Sequence, residues 1–124
     1  MIRRKNSTDP AIHLPLTPAM LHVLIALADR ERHGYAILKE IKRRTEGRVE
    51  LSAGTLYGII RRLYSNGIIE ESDERPDPDL DDERRRYYRL TEFGRSVVTA
   101  EAERMEGVLR MVRAKNLMPG TKPA

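Results

Sequence analysis

Residues Leu51 to Asn66 read LSAGTLYGIIRRLYSN, and the fold turns on how this stretch wraps around a helix. Ser52 suits the position before the first helical residue, because its hydroxyl can accept a hydrogen bond from a first-turn N–H that has no partner inside the helix. At 100° per residue, Leu56, Ile59, Ile60 and Leu63 fall on one side and mark a core face. The opposite side carries Gly54, Gly58, Arg61 and Ser65, with Tyr57 and Arg62 at its edges. Glycine is about 0.8–1.0 kcal/mol less favourable than alanine inside a helix. Two of them on an outward face therefore need a reason. Close approach to another surface, such as the floor of a DNA groove, supplies one: small residues admit the backbone while Arg, Ser and Tyr reach out to bond.

The bulk properties bound the rest. A chain of 124 residues suffices for one domain with a modest core plus an extra element, and not for two independent domains. It contains no Cys, which excludes a disulfide framework and thiolate metal sites and suits a reducing compartment. No apolar run approaches the roughly 18 residues of a membrane span. The basic start, Met1 to Asn6, lacks the apolar stretch of a signal peptide. A soluble cytoplasmic protein without a membrane partner is expected. The net charge of +4 conceals a pattern: residues 1–66 hold twelve Lys/Arg against six Asp/Glu, residues 67–83 one against nine, and residues 84–124 ten against four. A basic body with one acidic insertion fits a polyanion that meets only part of the surface.

Along the chain, residues 1–15 are polar with two prolines and read as a flexible arm. Thr17-Pro18 opens a first helix, with Thr as cap and Pro where its missing N–H costs nothing. Met20, Leu21, Leu24, Ile25 and Leu27 form its apolar side, and Leu16 is placed to pack over its start. Asp29-Arg30-Glu31-Arg32 breaks the pattern. His33-Gly34-Tyr35 starts a second helix carrying Ile37, Leu38 and Ile41 and ending near Gly47, and Val49-Glu50-Leu51 is long enough for a very short strand. Gly67 terminates the Ser52 helix as a left-handed residue. Hairpin strands are predicted at about Ile68–Glu74 and Arg84–Leu90, separated by a loop whose two prolines and run of like charge cannot pair in a sheet. Thr91 caps a final helix running to about Asn116, with residues 117–124 as a tail. In it Val98, Ala102, Met105, Leu109 and Val112 recur at heptad spacing and form a seam that wants a partner helix.

Helix, helix, exposed-face helix and β-hairpin is the order of a winged helix-turn-helix, a mainly α (α+β) fold, over residues 16–91, with a dimerisation helix over 92–116. The chain resembles the PadR family of bacterial transcriptional regulators. The residues that carry the resemblance are Leu16-Thr17, His33-Gly34-Tyr35-Ala36-Ile37, Leu51-Ser52-Ala53-Gly54-Thr55-Leu56-Tyr57, Arg61-Arg62-Leu63, Gly67-Ile68-Ile69-Glu70, Glu83 to Thr91 and Gly94-Arg95. GTLY preceded by Ser, followed after thirty residues by RRRYYRLT, is far more specific than a generic helix-turn-helix pattern. The resemblance implies a homodimer joined through the C-terminal helices, a double-stranded DNA site with two half-sites, and repression. A single C-terminal helix is similar to the short subgroup. The chain has no Trp, so a ligand cavity of stacked tryptophans does not carry over, and the sequence names no small-molecule effector.

The residues expected at DNA are Tyr35, Ser52, Gly54, Thr55, Tyr57, Arg61, Arg62, Arg84 and Arg86. A Tyr57 hydroxyl on a phosphate and an Arg61 contact in the groove follow from their positions on the glycine face. Period 2 separates Arg84 and Arg86 from Arg85, so not all three meet DNA, and it turns Tyr87 and Tyr88 to opposite faces with one in the core. Asp77, Asp79, Asp81, Asp82 and Glu83 sit at the wing tip, where duplex DNA repels them; Arg75 and Arg84 to Arg86 offset part of that charge. These carboxylates lack the turn Gly and closing Glu of a calcium loop, and the three histidines lie in different elements, so no metal or other cofactor is expected. No catalytic arrangement stands out. A protein-binding winged helix is the alternative, and it would show an apolar anchor where this chain has Gly54, Tyr57, Gly58 and Arg61.

Overall fold

Every α-helix of the domain starts at a side chain that takes up a first-turn N–H, and these four caps set the element boundaries. The computed structural model describes residues 9–73 and 85–118. Thr17 Oγ1 accepts from Met20 N at 3.1 Å and opens α1 (Pro18–Ala26). His33 Nδ1 accepts from Ala36 N at 3.1 Å and opens α2 (Gly34–Arg44). Ser52 Oγ accepts from Thr55 N at 3.1 Å at the head of α3 (Ala53–Ser65), and Thr91 Oγ1 accepts from Gly94 N at 2.9 Å at the head of α4 (Glu92–Ala114). Gly67, at φ 72°, closes α3: its N–H reaches Tyr64 O and the N–H of Ile68 reaches Leu63 O, which satisfies the last carbonyls.

Three short strands form one antiparallel sheet in the order β1-β3-β2, with β1 at Arg32–His33, β2 at Ile69–Ser72 and β3 at Tyr87–Leu90. The core lies between this sheet and the helices: Val23 and Leu24 of α1, Ile37 and Ile41 of α2, Leu56, Ile60 and Leu63 of α3, Ile68, Ile69, Tyr88, Leu90 and Val97. Ile59 packs on its margin. Gly94 lets α4 cross the start of the wing, because a Cβ there would collide with the carbonyl of Ile68. Thr91 ties the same crossing, with its N–H and hydroxyl both donating to Ile68 O and the hydroxyl also to Gly67 O.

Among the described residues two carboxylates are buried, each among arginines. Glu40 on α2 accepts from Arg43 and Arg44, with Arg32 3.8 Å away. Burial pushes its carboxyl up, but Arg44, Arg43 and Arg32 together outweigh that and hold it below the ordinary value. Glu101 on α4, 2% exposed, accepts two bonds from Arg104 and one from the N–H of Leu16, and Arg104 keeps it ionised against the effect of burial.

Several expectations are corrected. Pro10–His13, assigned to a flexible arm, forms a 3-10 turn packed against α4, where His13 meets Phe93 edge-on at 5.6 Å and Glu101 holds Leu16. Val49–Leu51 is not a strand, because Thr45 Oγ1 accepts from Val49 N and ties it to the end of α2. The third strand is Arg32–His33 instead. Tyr87 and Tyr88 are both buried, since β3 is the central strand and is covered on both faces. The strands are shorter than predicted. Glu74, Arg75, Arg84 and the carboxylates from Asp77 to Glu83 lie outside the described residues.

We expect Gly94→Ala to destabilise the fold by about 1–3 kcal/mol in urea unfolding, since overpacking against a backbone carbonyl outweighs the helix gain. The lowered pKa values of Glu40 and Glu101 contribute stability above the unfolded carboxylate value of about 4.3, and that contribution is lost as pH falls through the lower folded values. The variant carrying Glu40→Gln and Glu101→Gln should therefore be less stable at neutral pH and lose less stability on acidification. Equal acid sensitivity in the two proteins would contradict this.

Candidate nucleic-acid interface

The first turn of α2, the outward face of α3 and the approach to β3 meet in two adjoining grooves. One, of about 390 Å³, is lined by His33, Gly34, Tyr35, Tyr57, Arg85, Arg86 and Tyr88. The other, of about 250 Å³, is lined by Tyr57, Ile60, Arg61, Tyr64, Glu71, Arg86 and Tyr88. Tyr57, Arg86 and Tyr88 belong to both, so the surface is continuous. It presents phenol hydroxyls, guanidinium groups and the first-turn amides of α2, which the helix itself cannot satisfy. Such a collection of donors suits an anion, and its breadth across two helices and a hairpin suits an extended one.

His33 organises the first groove. Its buried ring caps α2 through Nδ1, and its Nε2 lies 3.1 Å from Arg85 Nη1. It stacks on Tyr35 with ring centroids 6.4 Å apart and meets Tyr87 edge-on at 5.1 Å. The Arg85 guanidinium lies over the Tyr35 ring at 5.7 Å, and Lys39 lies over the same ring at 5.3 Å. Tyr35 is thus exposed yet has two cations close to its ring. Tyr57 leans on the backbone of Gly34, where an added Cβ would stand 2.5 Å from its hydroxyl oxygen. Burial, then the Glu71 carboxylate, push the phenol of Tyr88 above its usual value, so it stays a neutral donor.

The residues proposed from sequence divide. Tyr35, Tyr57, Arg61 and Arg86 come together in the grooves. Among the described residues nothing lies within 4 Å of a Cβ built on Gly54 or Gly58, so no packing among them demands glycine there. Ser52 and Thr55 are exposed but bonded to each other, Ser52 Oγ to Thr55 Oγ1 at 3.0 Å, in the cap of α3. Arg62 is exposed on α3 and lines neither groove. Arg84 lies outside the described residues.

Arg85 and Tyr64 were missed. Strand alternation set Arg85 on the face away from Arg86, but both precede the first residue of β3 and both reach the first groove. Tyr64 follows Arg61 by three residues and Tyr57 by seven, so helical spacing puts it on their face, and it is 53% exposed there. Among the described residues no group of three His, Asp or Glu side chains is placed to hold a metal ion, and no helix is long and apolar enough to cross a membrane.

A capped three-helix core carrying a wing and a donor-rich face defines a winged helix-turn-helix domain. Residues 23–100 match the PadR-like family of transcriptional regulators, and the chain belongs to that family, which consists of non-enzymatic DNA-binding regulators. It is 35% identical to transcriptional regulator Rv3488 of Mycobacterium tuberculosis over 92 residues, 74% of this chain and 79% of that one. Among solved structures, a PadR family transcriptional regulator from Eggerthella lenta superposes with a TM-score of 0.61 at 27% identity, covering 89% of this chain and 90% of that one. A transcriptional regulator from Clostridium thermocellum superposes with a TM-score of 0.64 at 26% identity, covering 77% and 86%.

Gly58 separates what the fold wants from what the surface wants. We expect Gly58→Ala to raise stability by about 0.4–1 kcal/mol, because the methyl meets none of the described residues. The same variant should bind DNA more weakly in an anisotropy titration. A variant that gained stability and kept full DNA affinity would show that the backbone of α3 does not approach DNA at this point.

Proposed function

We propose that the chain is a homodimeric repressor that binds a pseudo-palindromic operator through the residue 52–66 helix and the wing, in the cytoplasm. The observation that carries this reading is the convergence of Tyr35, Tyr57, Arg61, Arg85 and Arg86 beside the open glycine face of α3. In it, α3 enters the major groove, with Gly54 and Gly58 admitting its backbone and Arg61 reaching a base edge or phosphate. Tyr35 and Tyr57 donate to phosphates beside the first turn of α2, and Arg85 and Arg86 follow the same strand from the wing.

Dimerisation by α4 rests on its apolar side chains. Met105, Val108, Leu109 and Met111 are 41%, 42%, 37% and 62% exposed, on a helix that runs on past the turn anchored by Glu101. Val98 at the start of the seam packs against the domain core, and Val112 is half-buried, whereas Ala102 is exposed. The seam of Ala102, Met105, Leu109 and Val112 supports pairing with a second copy, which would place two α3 helices at two half-sites.

Replacing Met105 and Leu109 by Glu should give a folded monomer in sedimentation that has lost operator affinity, because the half-sites are no longer bound together. A variant that sediments as a dimer would refute the assignment of the seam. Arg61→Ala should weaken operator binding by about 1–3 kcal/mol per site and leave the thermal midpoint nearly unchanged. Tyr57→Phe, which keeps the ring on Gly34 and removes only the hydroxyl, should also weaken binding without unfolding.

A further inference from the structure

Among the described residues, the groove between α3 and the wing is lined by one carboxylate, Glu71, beside phenols and guanidinium groups. Glu71 stands in β2 opposite Tyr88, so the two side chains share the face turned to α3, and its Oε2 lies 2.7 Å from Arg86 Nη1. The neighbouring pair, Glu70 with Arg89 at 2.8 Å, joins residues directly opposite in the ladder and is a cross-strand brace. The Glu71–Arg86 pair is different. It runs diagonally to a residue outside β3 and sits beside Tyr57, Arg61 and Tyr64 in the groove. A carboxylate beside these phenols and guanidinium groups should weaken attraction to a polyanion.

Resting on the DNA-binding reading above, we propose that Glu71 is a positioning residue that tethers Arg86 over the α3 groove and thereby sets discrimination between operator and unrelated DNA. Glu71 engages Nη1, one of the nitrogens of a guanidinium fork that carries five N–H donors. An operator that seats α3 fully brings a phosphate to that preset fork, and Arg86 then bonds carboxylate and phosphate together. A duplex held only loosely meets the negative charge of Glu71 without the full return from Arg86. Removing the carboxylate frees Arg86 to follow any phosphate, which favours non-specific binding, and removes the orientation that favours the operator.

The test compares the full-length protein, Glu71→Gln, Arg86→Ala and the double variant. Each is titrated against its upstream DNA and against an unrelated duplex of equal length, over a range of salt. Glu71→Gln should reduce the ratio of the two affinities about two- to tenfold, in keeping with the modest strength of exposed ion pairs. It should also steepen the salt dependence on the unrelated duplex by up to about one counterion per protomer. In the Arg86→Ala background the same change should leave the ratio unaltered, because its effect passes through Arg86. An unaltered ratio in Glu71→Gln, or an equal fall with and without Arg86, would overturn the proposal. Wild-type protein with no preference between the duplexes would instead overturn the DNA-binding reading beneath it.

Discussion

The buried imidazole of His33 joins the fold to the surface proposed to meet DNA. Its backbone pairs with Tyr87 in the sheet, its Nδ1 takes the N–H that starts α2, and its ring stacks on Tyr35. Because the ring is 1% exposed and boxed by Tyr35 and Tyr87, none of these contacts can shift alone. The orientation of α2 and the placing of Tyr35 are therefore set by one side chain. Gly34, next in sequence, extends the constraint to α3, since its missing side chain is what lets the Tyr57 ring settle there. The donor surface is rigid at its base and exposed at its rim, as preorganised recognition of an anion needs.

Charge in this chain does two jobs that composition alone does not separate. Glu40 and Glu101 are buried and answered by arginines, where breaking either cluster would leave a carboxylate without a partner. Arg95 and Arg32 donate to the carbonyls of Ala28 and Ala26, helping to close the end of α1. The exposed Arg61 lies on the α3 face, outside these structural pairs. Several basic residues are thus engaged in holding the domain together, and the net positive charge overstates what is offered to a partner.

Features set by neighbours in sequence were legible in advance. The caps at Thr17, Ser52 and Thr91, the left-handed Gly67 and the buried Leu56, Ile60 and Leu63 all depend on residues within one or two helical turns. Long-range features were not. Two residues, Arg32 and His33, become a strand only because Tyr87 and Tyr88 come alongside, and nothing in Asp29 to Arg32 carries a strand pattern. The same pairing makes β3 central and buries both tyrosines. Arg85 escaped because alternation governs residues inside a ladder and it lies just outside one. Glu101 reads as one more surface charge until the segment before α1 folds back onto α4, although its spacing to Arg104 hinted at a pair.

The central claim is that DNA meets the first turn of α2, the glycine face of α3 and the approach to β3 together. An amide correlation spectrum of the labelled protein, titrated with the upstream duplex, tests it most directly. The first-turn amides of α2 and α3 have no intrahelical acceptor and sense an arriving phosphate at once. The account predicts that Gly34, Tyr35, Ala53 and Gly54 shift strongly, with Gly58, Arg61, Arg85 and Arg86, while the amides of α1 hold still. Shifts confined to α4, or spread evenly over the basic surface with these residues unmoved, would contradict it.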